Sequence, residues 1–361
     1  MLFLRTLLIS ALLSIVPSAC ADAMMVPIVF HKKYDISFMG MEKLHPFDTK
    51  KYGKVANHLQ QTCNIAPECF YQPEKASDAD LELVHTSKYL ATLKSSRTVA
   101  TIAEVAPLAF LPNAFLQHSM LASMRYATAG TVLGAQLAMS SGWAINLAGG
   151  YHHAKANNGE GFCFFADIPL AIKKLRETNS DLKVLIVDLD AHQGNGLAAI
   201  LGEDKLTYIF DMYSGNNYPR DRAMYKYIDF NFPLVDYIKD LAYLNLLKSE
   251  LPKAIEAVKP DLIIYNAGTD IFERDPLGKM KVTKQGIIER DAFVFGQALA
   301  IKTPILMVLS GGYSKESADI VGTSIENILK QFKLVEAHLR AAPRRQTLTT
   351  VKSKIKKLWT K

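Results

Sequence analysis

Between residues 184 and 192 the chain reads Val184-Leu185-Ile186-Val187-Asp188-Leu189-Asp190-Ala191-His192. Four consecutive apolar residues are typical of a strand that is buried on both faces of a parallel sheet. Polar residues follow where such a strand ends, and ligand-binding groups collect beyond the carboxyl ends of parallel strands. Asp190 and His192 are two positions apart, so in extended backbone their side chains point to the same face. The stretch therefore predicts an α/β fold with a polar site at one sheet edge.

Similar apolar runs alternate with helix-period segments from about residue 143 onward, which favours repeated βα units and a parallel sheet. The predicted strands are Pro27–Phe30, Trp143–Leu147, Val184–Leu189, Leu206–Phe210, Asp261–Tyr265 and Pro304–Leu309. The predicted helices are Leu170–Arg176, Leu241–Val258, Ile287–Ile301 and Ala318–Val335. Residues 77–142 are predicted to be mostly helical, with interruptions near Pro107 and Pro112. Because no repeat or low-complexity linker divides the chain, we expect one domain from residue 26 to 338.

Composition separates a neutral body from a basic end. Of the 361 residues 49% are apolar, which excludes a globally disordered chain. Residues 344–361 carry seven Lys or Arg residues and no acid, which equals the whole net charge of +7. The rest of the chain therefore lacks the net positive charge that is typical of nucleic-acid-binding proteins. In the tail, apolar residues recur at helical spacing among lysines, which suits an anionic membrane or an acidic partner; the alternative is a solvated, unstructured end.

The N-terminus is predicted to be a secretory signal peptide covering residues 1–23. Arg5 precedes a short apolar stretch, Leu7 to Val16, which small residues follow. This stretch is too short for a comfortable membrane span. We therefore expect export to the periplasm or the medium. A buried N-terminal helix is the alternative, and the chain would be cytoplasmic if Met24 or Met25 were the true start.

Two cysteines bracket the short segment from Cys63 to Cys69. In an exported protein a disulfide closing this loop would be expected, whereas in the cytoplasm both residues would be thiols. A zinc clip is disfavoured because no second cysteine pair lies nearby to fill a tetrahedral site.

Asp190, His192 and Asp270 are predicted to be the three protein ligands of an open zinc site. Asp270 follows the apolar run Leu262-Ile263-Ile264, so it is expected at the same sheet edge as the other two. Two carboxylates and one imidazole would leave a zinc position free for water, as catalytic zinc requires. The alternative for Asp270 is a helix N-cap.

Six segments together carry a resemblance to a known family. They are Leu44-His45-Pro46-Phe47, Trp143-Ala144-Ile145-Asn146, Gly161-Phe162-Cys163, Asp188 to Gly196, Tyr265 to Asp270 and Ser310 to Tyr313. The chain resembles the zinc-dependent histone deacetylases over residues 27 to 334, and it looks closest to their class IV branch. The resemblance implies a three-layer α/β/α fold of the arginase–deacetylase type, with a central, mostly parallel sheet.

The resemblance also implies a role for each matching residue. Asp190, His192 and Asp270 would bind Zn²⁺, and Tyr313 would donate a hydrogen bond to the substrate carbonyl oxygen and then to the oxyanion. His152 and His153 would flank the attacking water, with His153 as the proton shuttle. Asp188 would form a hydrogen bond with His152, and Asn195 would form one with His153. Gly161 and Phe162 would line the tunnel for the acylated lysine, and the segment of Asp188 would help to bind K⁺.

The segment His192-Gln193-Gly194-Asn195-Gly196 departs from the His-His-Gly-Asp-Gly of many relatives. Gln193 is the feature that favours class IV, whose members are associated with removing long fatty acyl groups. Asn195 is neutral, so it would raise the basicity of His153 less than an aspartate would. Because the zinc ligands and the tyrosine are all present, we expect catalysis to survive.

The predicted function is zinc-dependent hydrolysis of acyl-lysine amides, whether acetyl or long-chain. Three rivals share the fold. A two-metal ureohydrolase is disfavoured, because Gln193 and Gly194 follow His192, and Ile271 and Phe272 follow Asp270, where further ligands would be needed. A deacetylase of small amides such as acetylpolyamines would share all the chemistry, and a non-catalytic binding module would be marked by a lost ligand or tyrosine.

Overall fold

A computed structural model describes residues 25–36 and 48–341, and its centre is an eight-stranded sheet. The strands are β1 (Val26–Val29), β2 (Phe70–Tyr71), β3 (Trp143–Asn146), β4 (Val184–Asp188), β5 (Thr207–Ser214), β6 (Phe230–Leu234), β7 (Leu262–Asn266) and β8 (Ile305–Val308). Their order is β2-β1-β3-β8-β7-β4-β5-β6, and every pairing is parallel. The predicted three-layer α/β/α fold is confirmed, with a sheet that is wholly rather than mostly parallel.

The strand predictions hold for the centre of the sheet and fail at its edges. All five residues of β4 are buried, as the apolar run predicts. Strand β5 was predicted to end at Phe210 but continues to Ser214, because its last residues pair with β6. Strands β2 and β6 were not predicted at all. The first has only two residues, and the second contains Pro233, which a sequence pattern reads as a strand breaker.

Twelve α-helices surround the sheet in the described residues. They are α1 (Lys51–Cys63), α2 (Asp78–Leu81), α3 (Ser87–Thr92), α4 (Ser96–Ile102), α5 (Asn113–Leu116), α6 (Ala122–Ser141), α7 (Asp167–Arg176), α8 (Asn195–Leu201), α9 (Asp240–Val258), α10 (Lys284–Ala300), α11 (Ser317–Gln331) and α12 (Leu334–Ala341). The predicted single helix over 318–335 was wrong, because Lys333 adopts a left-handed φ of 50° and separates α11 from α12.

Helix α6 illustrates how the helical layer approaches the sheet. It is the longest helix in the described part of the chain, and most of its residues are buried. A Cβ atom on Gly130 would lie 1.9 Å from the Tyr34 hydroxyl, and one on Gly134 would lie 2.7 Å from a methyl group of Leu306 on β8. A side chain at either position would therefore force these neighbouring side chains to shift or would move α6 away from the sheet.

Three predicted features lie outside the described residues. The signal peptide, the basic tail and the segment from Leu44 to Phe47 fall in the part that is not described. Cys63 and Cys69 are thiols in the structure rather than a disulfide. Among the residues described, no helix is both long and apolar enough to cross a membrane.

Candidate active site

Four loops that follow β3, β4, β7 and β8 meet at the carboxyl edge of the sheet. Backbone hydrogen bonds join neighbouring loops, from Leu189 N to Asn266 O at 3.0 Å and from Ser310 N to Gly149 O at 3.0 Å. Gly149 and Gly150 turn the chain after β3 with φ values of 82° and 86°, a conformation that side chains disfavour. These loops bring the predicted site residues into one buried cluster.

Asp190, His192 and Asp270 form the centre of that cluster. One ligand atom of each lies within 4.8 Å of the others, and all three residues are buried. The Nδ1 atom of His192 is 3.1 Å from Asp190 Oδ1 and 3.0 Å from Asp270 Oδ2. The structure therefore brings together the three predicted zinc ligands from the loops after β4 and β7.

The electrostatics of the cluster favour a positive charge at its centre. Burial disfavours the imidazolium, but the hydrogen bonds and charges of Asp190 and Asp270 outweigh it and raise the pKa of His192 to about 10. Burial and the neighbouring charge of Asp190 raise the pKa of Asp270 to about 7. Burial also acts to raise the pKa of Asp190, yet His152 and His192 hold that pKa well below the usual value.

The donor set and the space around it both fit a zinc ion. Two carboxylates and one imidazole are a three-ligand set of the kind found in catalytic zinc sites. Two glycines keep the carboxylates unobstructed. A Cβ atom on Gly268 would lie 2.3 Å from Asp190 Oδ2, and one on Gly311 would lie 2.3 Å from Asp270 Oδ2. The site could hold a metal through these three side chains.

His152 and His153 lie beside the ligand cluster and contact each other. Their Nε2 atoms are 3.1 Å apart. His152 Nδ1 is 2.9 Å from Asp188 Oδ2, and His153 Nδ1 is 2.8 Å from Asn195 Oδ1. Both contacts are those that the resemblance implied. Burial lowers the pKa of His152, but the charges of Asp188 and Asp190 outweigh it and raise that pKa to about 9.

The pKa of His153 shifts in the opposite direction to that of His152. Burial, followed by the neighbouring His152 and His192, lowers its pKa well below 6.5. The two adjacent imidazoles therefore differ in their tendency to hold a proton, because one faces an aspartate and the other an amide. A pair of titratable groups with pKa values pushed apart is typical of sites that move protons.

Tyr313 approaches the cluster from the loop after β8. Its ring centroid is 6.2 Å from that of His192, with the two planes at 88°. Burial and the charges of Asp270 and Asp190 raise the pKa of the phenol well above 10. Tyr313 therefore stays protonated and can donate a hydrogen bond, as an oxyanion-stabilising group must.

Gly161 lies against the ring of His153, and Phe162 follows it in the chain. Both adopt left-handed backbone conformations, with φ values of 54° and 62°. A Cβ atom on Gly161 would lie 2.6 Å from the His153 ring and 3.2 Å from the ring of Tyr218. The Tyr218 ring centroid is 5.1 Å from that of His153, and 40% of this residue is exposed. Tyr218, which packs against His153 and His192, is a site residue that sequence reasoning missed.

Further residues that support the site were also missed. Asp211 pairs in register with Asp188 on the neighbouring strand, and its position directly after Ile209-Phe210 could have revealed it. Arg290 is fully buried and donates hydrogen bonds to the carbonyl oxygens of Leu189 and Gly268. These bonds join the ligand loops that follow β4 and β7. Arg290 lies in helix α10 far along the sequence from either loop, so no local pattern could have found it.

The sequence model of the histone deacetylase domain family matches residues 45–330 of this chain. This chain belongs to the histone deacetylase family. It is therefore a hydrolase of that family, and the predicted resemblance is confirmed at the level of the family.

Relatives of this histone deacetylase occur in plants and bacteria. It is 45% identical over 306 residues to histone deacetylase 2 of Arabidopsis thaliana, covering 85% of this chain and 79% of the relative. The acetoin utilization protein AcuC of Staphylococcus aureus is 28% identical over 287 residues, covering 75% and 73%. The crystal structure of the HDA15 HD domain matches with a TM-score of 0.67 and 20% identity, covering 92% and 94%. That structural match supports the fold alone.

Proposed function

We propose that this histone deacetylase hydrolyses acyl-lysine amides with a zinc ion held by Asp190, His192 and Asp270. The observation that carries the proposal is the convergence of these three ligand atoms within 4.8 Å, next to a histidine pair and a tyrosine. Zinc bound there would polarise the amide carbonyl and activate the water that attacks it. The relative named histone deacetylase 2 supports an acetylated substrate, and the partly exposed ring of Tyr218 beside His153 supports access of an acylated side chain to that histidine.

The protein side chains divide the remaining chemistry. His153 removes a proton from the attacking water and returns it to the leaving amine, as a general base and then a general acid. Asp188 holds His152 through its Nδ1 atom and stabilises positive charge on that ring. Tyr313 donates its hydroxyl hydrogen to the oxygen of the reacting carbonyl, where negative charge develops. Gly161 leaves room for the substrate chain to reach His153.

Gln193 is the residue that supports a class IV-like enzyme, which would remove long acyl chains. Gln193 is buried and bonds both backbone groups of Asp221, donating to its carbonyl oxygen and accepting from its N–H. It thereby anchors the segment that carries Tyr218, whose ring packs against His153. A glutamine at this position would thus help to fix Tyr218 beside His153, where the acyl chain is proposed to pass.

The segment of Asp188, together with Asp211 on the neighbouring strand, would also hold a monovalent cation such as K⁺. Asp211 Oδ1 is buried and has no hydrogen-bond partner among the described residues. Burial and the adjacent charge of Asp188 raise the pKa of Asp211 well above its usual value. A buried carboxylate oxygen without a partner is costly, and a bound cation offsets that cost.

We also propose that the protein is exported and that its basic tail contacts an anionic surface. The support is the sequence alone, namely the signal-like residues 1–23 and the lysine-rich residues 344–361. Protein substrates would then lie outside the cytoplasm. Mass analysis of the mature chain from the native cell would reveal cleavage before Met24, and an intact N-terminus would contradict export.

The deciding experiment measures acyl release from two lysine peptides that differ only in carrying an acetyl or a myristoyl group. The protein begins at Met24, and the controls are a chelator and the Asp270→Ala variant. Faster release of myristate, abolished by both controls, is the expected result. Release of acetate alone would give a conventional deacetylase. Failure on both peptides, with turnover of acetylpolyamines, would contradict the acyl-lysine proposal.

A further inference from the structure

We infer that Glu160 is a positioning residue for His153 and acts through the side-chain amide of Asn195. Asn195 Nδ2 donates to Glu160 Oε1 at 2.6 Å, while Asn195 Oδ1 lies 2.8 Å from His153 Nδ1. A carboxylate, an amide and an imidazole are thus connected in series. The role rests on the proposed function of His153 as the proton shuttle.

The order of these contacts determines which nitrogen of His153 carries hydrogen. An ionised carboxylate can only accept hydrogen bonds, so the atom of Asn195 that faces Glu160 must be its NH₂ group. The amide oxygen is then turned toward His153. Because that oxygen can only accept, His153 Nδ1 must carry the hydrogen, and Nε2 is left with its lone pair. A base requires this tautomer if it is to act through Nε2.

The neighbouring histidine agrees with that assignment. His153 Nε2 lies 3.1 Å from His152 Nε2, so one of the two atoms must donate. Since His153 Nε2 carries no hydrogen in the assigned tautomer, His152 is the donor. His152 Nδ1 faces Asp188 Oδ2 at 2.9 Å and donates to that carboxylate. Every hydrogen bond along the series from Glu160 to Asp188 then has one donor and one acceptor.

Glu160 is itself held in place from two sides. Lys155 Nζ lies 3.2 Å from Glu160 Oε1 and 3.4 Å from Asp221 Oδ2. Through its backbone, Glu160 O accepts from Cys163 N at 2.9 Å across the turn that contains Gly161 and Phe162. One residue therefore anchors the turn that contains Gly161 and Phe162 and orients the amide that faces the base.

This arrangement explains how a neutral residue can serve at position 195. An asparagine alone could turn either its oxygen or its NH₂ toward His153, and the second orientation would favour the wrong tautomer. The carboxylate of Glu160 removes that choice. It also places negative charge at the end of the series, which favours the positive charge that His153 acquires when it takes a proton.

The test is a double-mutant cycle on the full-length zinc-loaded enzyme. Glu160→Ala should lower kcat by about tenfold with KM little changed, because orientation of a general base affects the chemical step. Glu160→Gln should recover most of that loss, since its amide oxygen can still accept from Asn195. Asn195→Asp alone should be impaired, because it sets two carboxylates face to face. Combining Glu160→Gln with Asn195→Asp should restore activity, because the new amide donates to the new carboxylate.

A second measurement reports the tautomer without any turnover. The measurement is NMR spectroscopy of metal-free protein labelled with nitrogen-15 at histidine. The signals of His153 are identified as those that disappear in the His153→Gln variant. The wild type should show a hydrogen on Nδ1, and Glu160→Ala should show a mixture of tautomers. Glu250→Gln, the same substitution on the surface of α9, is the control for both measurements and should change neither.

The outcomes separate this inference from the proposed function. An unchanged tautomer and unchanged kcat in Glu160→Ala would overturn the inference. The same would follow if the double variant were no more active than Asn195→Asp. If no variant, including the wild type, releases acyl groups but Glu160→Ala still alters the His153 tautomer, the positioning role stands and the proposed function fails.

Discussion

The carboxylate of Asp275 accepts a hydrogen bond from the backbone N–H of Tyr313 at 2.7 Å. The same Oδ2 atom accepts from Ser314 N at 3.0 Å, while Oδ1 accepts from two backbone N–H groups of its own turn. From the opposite side, Lys51 Nζ donates to the carbonyl oxygens of Ser310 and Gly311. The backbone that carries the tyrosine is therefore held between an anion and a cation.

Asp275→Asn should lower kcat by about tenfold and leave zinc affinity unchanged. The new NH₂ group would face backbone N–H donors, and each lost bond to a charged acceptor is worth about 1.5–3 kcal/mol. Steady-state kinetics and zinc titration check this together. Loss of zinc binding would instead show that Asp275 supports the ligand loop.

Tyr313→Phe should reduce kcat about a hundredfold or more, while the free energy of unfolding changes little. The substitution removes only the hydroxyl, and loss of one oxyanion donor typically costs that much in rate. The check is turnover of an acetyl-lysine peptide alongside denaturant unfolding. A rate near that of the wild type would remove Tyr313 from the mechanism.

Gly311→Ala should weaken zinc binding about tenfold or more. Its Cβ atom would lie 2.3 Å from Asp270 Oδ2 and 2.7 Å from Asp190 Oδ2, so the ligand carboxylates would have to move. Disturbing the surroundings of metal ligands typically costs 10–100-fold in affinity, an order-of-magnitude range. Competition with a chromophoric chelator measures the effect.

Gly296→Ala in α10 is the matched control for Gly311→Ala. Its Cβ atom would make only an ordinary contact with Phe332, at 3.4 Å. Alanine inside a helix is favoured over glycine by about 0.5–1 kcal/mol, so this variant should be slightly more stable and bind zinc normally. Weakened zinc binding in both variants would point to a general effect on folding.

His85 should make the protein less stable as the pH falls from about 6.5 toward 4. Its Nε2 atom accepts from Ala166 N at 2.9 Å, and burial lowers its pKa to about 4. Because the folded pKa lies below the unfolded value, the stability is present above pH 6.5 and is lost on acidification through this window. At pH 5 the loss amounts to about 2 kcal/mol by linkage.

The measurement for His85 is the free energy of unfolding of the wild type and of His85→Gln at pH 8 and pH 5. The glutamine does not titrate, so the variant should lose less stability between the two pH values. Parallel pH profiles for the two proteins would assign the acid sensitivity to other groups.

The apolar runs of the central strands were predictable because burial on both faces of a parallel sheet demands them. For the same reason Asp190, His192 and Asp270 could be placed at one edge, since parallel strands end on the same side. The edge strands β2 and β6 could not be predicted, because edge positions impose a weaker pattern than the buried centre does. The break between α11 and α12 at Lys333 also left no signature in the sequence.

By itself, the sequence determined which chemical groups are present and on which edge of the sheet they lie. Only the tertiary structure decided which groups support them. A sequence pattern assigns charged residues to the surface, yet four of them contact a site loop. They are Glu160, Lys51, Asp275 and Arg290. The physical reason is that hydrogen bonds between loops depend on how separate segments pack in space. Residues 79 positions apart, such as Ala191 and Asp270, meet through one such bond.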